Sequence, residues 1–137
     1  MAHNPVFLYV EDEPFSQMVM EMLLVRGLGY KTLYIFADSV DFIQRIEQLP
    51  QKPDVIFLDI HVKPADGFEM LAALRQHPNA DLRDTCVIAV TASVMNEEVE
   101  MLRRAGFDGA LAKPIDQIAF PGLLQRILEG EEVWNIV

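Results

Sequence analysis

A doubly wound α/β domain, a (βα)5 three-layer sandwich around a five-stranded parallel sheet, is the expected architecture of this chain. Five short runs of β-forming residues alternate with helix-length amphipathic segments. The runs are continuously apolar, as in strands covered on both faces, and do not alternate in polarity as strands of a half-wet sheet do. The length of 137 residues, 51% apolar and 23% charged, suits one domain with a substantial core and leaves no room for a second.

The first run is Val6–Val10 (VFLYV), followed at helical length by 14–26. Pro14 suits the first turn of that helix and the Gly27-Leu28-Gly29 stretch its stop. The second run, Thr32–Phe36, leads through Asp38 and Ser39, either of which can cap a helix over 40–49 that Pro50 closes. The third run, 55–58, ends at Asp59, and after a loop holding Pro64 and Gly67 a short helix is expected over 68–75. The fourth run, 86–90, ends at Thr91 and precedes a helix over 96–105 stopped by Gly106. A weak fifth run, 110–112, leads to Lys113-Pro114, and Pro121 fits the first position of a last helix ending near Gly130. The domain is thus expected over 1–130, with the tail 131–137 (EEVWNIV) outside it. In that tail Trp134, Ile136 and Val137 can pack back on the domain, meet a partner or begin a linker.

The formal charge is −10, from 11 Lys and Arg against 21 Asp and Glu. Such a surface repels phosphate backbones, so direct nucleic-acid binding is not expected, and basic protein surfaces or cations are better partners. The single cysteine, Cys86, excludes an intramolecular disulfide framework and a Cys-based zinc site. No signal peptide and no apolar run of membrane-spanning length is found, so a cytoplasmic protein without membrane contact is expected.

In open parallel sheets ligands bind beyond the carboxyl ends of the strands. The residues ending the runs are Glu11-Asp12, Asp59, Thr91 and Lys113, so three carboxylates, a hydroxyl and an ammonium are expected at one edge. Crowded carboxylates need a cation, and an all-oxygen set favours Mg2+. Asp59 can attack a phosphoryl group as nucleophile, with Lys113 as point charge and Thr91 as hydroxyl donor, the parts that phosphoryl transfer uses.

These residues resemble the receiver domain of two-component response regulators, a flavodoxin/CheY-like fold, over about residues 5–129. The resemblance is carried by Glu11-Asp12 after the first strand, Asp59 in VIFLDI, Asp66-Gly67, Thr91-Ala92 after the fourth strand and Lys113-Pro114 after the fifth. It implies that Asp59 is the phosphoacceptor and that Glu11, Asp12 and Asp59 hold Mg2+ with the main-chain carbonyl of His61. It also implies that Thr91 reads the phosphoryl group and Lys113 pairs with it. The donor it implies is a phosphohistidine on a sensor histidine kinase or a histidine phosphotransfer protein, and the output a contact with a downstream protein or an attached output domain. The expected protein is a switch that accepts a phosphoryl group and dephosphorylates itself, not a turnover enzyme. Two other readings are a degenerate receiver acting as a binding scaffold and a phosphatase-type hydrolase with Asp59 as nucleophile. Against the hydrolase, the position two beyond Asp59 is His61 and not a second acid, and no cap domain fits.

Three positions depart from the family pattern. Lys63 stands where proline is usual, with Pro64 one position later; Ala110 replaces the usual aromatic three positions before Lys113; and Glu11 stands where Asp is commoner. Without that aromatic, a signal is expected to travel through loops or the fourth helix, 96–105. The His61 side chain is expected to be an exposed loop residue, with an effect on dephosphorylation as the sharper alternative; His3 and His77 have no companions in sequence. On the first helix, Phe15, Val19, Met22 and Leu23 are expected on the sheet side. That leaves Met20 and Leu24 beside Gln17 and Glu21, either as a docking surface or covered by the tail or a loop.

Overall fold

The computed structural model describes residues 4–93 and 95–135; His3, Ile136 and Val137 lie outside them. The strands are β1 (Val6–Val10), β2 (Thr32–Phe36), β3 (Val55–Asp59), β4 (Cys86–Thr91), β5 (Gly109–Ala112) and β6 (Val133–Asn135). All pair in parallel, in the order β2-β1-β3-β4-β5-β6. The helices are α1 (Pro14–Glu21), α2 (Phe42–Glu47), α3 (Gly67–Arg75), α4 (Ala80–Arg83), α5 (Asn96–Ala105) and α6 (Phe120–Leu128). Among the described residues no helix is long and apolar enough to cross a membrane.

Side chains alternate across the sheet, so each continuous apolar run supplies two cores. Leu8, Val10, Ile56, Leu58, Val87 and Ala89 face one core, which Leu71 and Leu74 of α3 and Leu102 of α5 complete. Phe7, Tyr9, Phe57, Ile88 and Val90 face the other, against Met20 of α1, Leu24 and Phe120 and Leu124 of α6. The three layers expected from the unbroken runs are therefore formed.

The sheet has one strand more than the five expected. The sequence alone leaves residues 131–137 outside the domain, yet Val133 pairs with Gly109 and Trp134 with Ala110. Three residues after two glutamates carry too short a pattern to read as a strand, and tertiary packing decides. Val133 is buried, the Arg103 guanidinium lies 4.3 Å from the centre of the Trp134 ring, and the absent side chain of Gly109 allows the close approach. A Cβ at Gly109 would collide with the Val133 carbonyl oxygen. Gly109→Ala is accordingly expected to cost about 1–3 kcal/mol and to loosen β6, read as faster hydrogen exchange at residues 133–135 with β1 and β3 still protected.

The phase of α1 also differs. The sequence alone sets Phe15, Val19, Met22 and Leu23 toward the sheet; the structure packs Leu23 against the core but buries Met20 and Leu24 completely and leaves Phe15, Met18 and Met22 exposed. Gln17, which marks the polar side in the sequence, instead turns inward because its side-chain amide donates to the Glu11 carbonyl at 2.6 Å. The helix continues as a π turn over Met22–Gly27. The stretch after His77 forms the short α4, with Asn79 accepting from the Asp81 amide. His77 does have companions: its ring lies 2.7 Å from Glu47 of α2 and accepts from the Asn79 amide, a structural link between segments.

Candidate functional site

The carboxyl ends of β1, β3, β4 and β5 deliver the site. Asp59 and Thr91 are the last residues of β3 and β4; Glu11 and Asp12 directly follow β1, and Lys113 directly follows β5. The chain leaves β1 toward α1 and β3 toward α3, and at such reversals the loops diverge and open a crevice at the strand ends. The structure thus brings together Glu11, Asp12, Asp59 and Lys113. Thr91 stands one strand away from Asp59, with the Lys113 amide bonded to its carbonyl at 2.9 Å.

Lys113 is the hub. Its ammonium donates to Glu11 Oε1 at 2.6 Å and to Asp59 Oδ2 at 3.0 Å. Asp59 Oδ1 accepts the His61 amide at 2.9 Å, so the loop after β3 turns back to fix the carboxylate. Glu11 is fully buried; besides Lys113, its Oε1 accepts the Tyr9 hydroxyl at 2.8 Å and its Oε2 the Glu13 amide at 3.2 Å. Thr91 is buried, and its hydroxyl oxygen accepts the Ser93 amide at 3.0 Å. A cleft of about 240 Å3 opens beside it, lined among others by Ile60, His61, Phe68 and Met101. The His61 side chain is exposed, as expected of a loop residue. Asp66 does not join the cluster: it caps α3, accepting the Glu69 amide while Glu69 accepts the Asp66 amide.

The electrostatics follow from one ammonium serving several carboxylates. Burial, and then the carboxylate of Asp59, push the Glu11 carboxyl above the ordinary glutamate range, against the donors Lys113 and Tyr9. Burial works against the charge of Asp59 too, but its contact with Glu11, the His61 amide and Lys113 outweigh it and hold that carboxyl below the ordinary range. Lys113 is raised, burial being overcome by its bonds to Glu11 and Asp59, and so stays charged.

Glu11, Asp12 and Asp59 each offer a carboxylate oxygen, all within 4.8 Å of one another. Three carboxylates facing one ammonium leave uncompensated negative charge, and hard oxygen donors without nitrogen or sulfur are the set that suits Mg2+. Chemically the edge can hold a cation beside a nucleophilic carboxylate, with an ammonium and a hydroxyl in place for an anion. Sequence reasoning missed Tyr9, whose phenol lies within this network; inside VFLYV it reads as one more β-forming core residue.

Residues 7–125 match the family model of the response regulator receiver domain. The chain is 37% identical over 125 residues to the signal transduction histidine-protein kinase BarA of Shigella flexneri, covering 90% of this chain and 13% of BarA. It is 28% identical over 137 residues to a probable C4-dicarboxylate response regulator, DctR, of Halalkalibacterium halodurans, covering 98% of this chain and 56% of that protein. The chain therefore spans a minor part of the first relative and little over half of the second. Among solved structures, the receiver domain of a sensor histidine kinase from Pseudomonas aeruginosa PAO1 superposes with a TM-score of 0.74 at 31% identity, over 90% of this chain and 97% of that one. That domain carries a magnesium ion in its active-site cleft.

Proposed function

This chain belongs to the response regulator receiver domain family, signalling domains of two-component phosphorelays, and from that premise we propose that Asp59 is its phosphoacceptor. The observation that carries the proposal is the Lys113 ammonium bonded at once to Asp59 and Glu11, with Asp12 in the same carboxylate cluster. In the reaction an Asp59 carboxylate oxygen attacks phosphorus, the bond from phosphorus to the imidazole nitrogen of a phosphohistidine donor breaks, and the electron pair leaves with the imidazole. Glu11, Asp12, Asp59 and the His61 main-chain carbonyl would hold Mg2+. When bound, the ion neutralises the phosphoryl oxygens. Lys113 exchanges its bond to Asp59 for one to the phosphoryl group, and the Thr91 hydroxyl donates to another phosphoryl oxygen. The product biases the loops around Thr91 and α5, since Ala110 has no ring to swing, and so alters a protein contact.

The test is intact-protein mass after incubation with acetyl phosphate and Mg2+, with and without chelator. One phosphoryl group added only when Mg2+ is free is the expected result. No addition together with no Mg2+ binding would leave the scaffold reading, and sustained turnover of a phosphomonoester the hydrolase reading.

Phe15, Met18 and Met22 make an exposed apolar stripe on α1, and Phe15 shares a small cleft with Lys113, Ile115 and Gln117. Ile118 in the adjoining loop is 95% exposed. This surface, at the mouth of the site, suits the helices of a phosphodonor. Met18→Asp is expected to slow transfer from a phosphorylated histidine phosphotransfer protein by about tenfold or more, while uptake from acetyl phosphate is unchanged; equal slowing with both donors would exclude docking at this face.

A further inference from the structure

We infer that Tyr9 is a positioning residue for the cation site, its phenol holding the carboxylate of Glu11 where it can serve a metal ion. The inference rests on the phosphoacceptor reading above and concerns how that site is held in this chain. Tyr9 and Glu11 are two residues apart on the same side of β1 as it ends, and the hydroxyl donates to Glu11 Oε1 at 2.8 Å. The ring itself is immobile by packing: it is fully buried and meets Phe57 edge to face, with centroids 6.3 Å apart at 84°. The donor is therefore fixed by the core and not by the site it serves.

The donor count around Glu11 shows why this matters. A carboxylate offers about four lone-pair sites, and the Tyr9 hydroxyl, the Lys113 ammonium and the Glu13 amide occupy three. About one remains, on a carboxylate that also stands against that of Asp59, and a cation or its water between the two would take it. Lys113 is shared with Asp59 and is the group that must turn to an incoming phosphoryl. When it does, Tyr9 and the Glu13 amide are what keep the long, otherwise flexible Glu11 side chain in one place. An aspartate at this position would be one methylene shorter and would withdraw from the phenol. Tyr9 and the glutamate thus form a matched pair, with the phenol taking up the extra length of the side chain.

The test is a double-mutant cycle on the full chain, with Mg2+ affinity measured by calorimetry and folding checked in chelator by amide spectra. Tyr9→Phe is expected to raise the Kd for Mg2+ by about tenfold, the usual scale for losing a group that orients a metal ligand. In the Glu11→Asp background the same Tyr9→Phe change is expected to alter Kd by less than about twofold, because the bond it removes is already absent. Equal losses in both backgrounds would make Tyr9 a general packing residue and overturn the inference. So would an unchanged Kd for Tyr9→Phe alone, or a Glu11→Asp protein that binds no Mg2+, which would show that side-chain length by itself sets the site. Wild type that binds no Mg2+ would instead overturn the phosphoacceptor reading, and this one with it.

Discussion

Asp59→Asn is expected to take up no phosphoryl group from acetyl phosphate in Mg2+, under conditions in which wild type is converted. The carboxamide keeps the size of the side chain and one oxygen to accept the His61 amide, now 2.9 Å from Asp59 Oδ1. What it removes is the bond to Lys113 at 3.0 Å and the anionic oxygen that, in the proposed reaction, attacks phosphorus. On the proposed reading loss of the nucleophile is loss of the reaction, since Glu11 is fully buried with three donors on its oxygens and Asp12 is exposed at the rim without a bond to Lys113 among those described. Modification of the variant at the wild-type rate would place the acceptor elsewhere. The change also has a stability signature. The Asp59 carboxyl is held below the ordinary range, so its charge stabilises the fold above the unfolded-state pKa, and that stabilisation is lost as pH falls through the depressed folded value. Asp59→Asn should therefore cost on the order of 1 kcal/mol at neutral pH, a deficit that closes in acid.

Glu11→Gln is expected to show the opposite sign, along with a fall in Mg2+ affinity of about two orders of magnitude or more. Its carboxyl is raised, by burial first and then by Asp59, so the ionised form opposes folding at neutral pH when no cation is present. A folded-state pKa above the unfolded one means that the folded chain binds the proton more tightly. Wild-type stability in chelator should then rise as pH drops through the raised value and stop rising below the ordinary 4.5. Glutamine is neutral throughout and can still accept from Tyr9. Chemical denaturation at several pH values should find Glu11→Gln more stable than wild type by on the order of 1 kcal/mol near neutrality, with a flatter pH dependence. A destabilised variant with the wild-type slope would show that the Glu11 charge is not under strain in the metal-free fold.

Most of this site is legible in the sequence because a parallel sheet sorts chemistry by position. A run buried on both faces ends where the first polar residue appears at the sheet edge, and Glu11, Asp59, Thr91 and Lys113 each mark such an end. Their convergence then needs only the rule that parallel strands share a carboxyl edge. What is not legible depends on contacts without a local pattern. Tyr9 looks like core until its hydroxyl is seen against Glu11. The rotation of α1 is masked by Gln17, a polar residue facing inward to serve one carbonyl. The strand β6 is three residues long and forms because Gly109 leaves space beside it.

The separations bridged by Lys113 have a consequence for how the chain matures. Its two ion pairs join residues 102 and 54 positions apart, closures that carry a large entropic cost and that parallel topologies complete slowly. A nascent or partly folded chain in which β1 and β3 have paired already crowds its carboxylates together while the only ammonium of the cluster is still distant. Such a species has Asp59 without the ammonium that bonds it. With Asp59 as the proposed phosphoacceptor, competence to take up a phosphoryl group would wait until β5 closes onto β4 and brings Lys113 to the cluster.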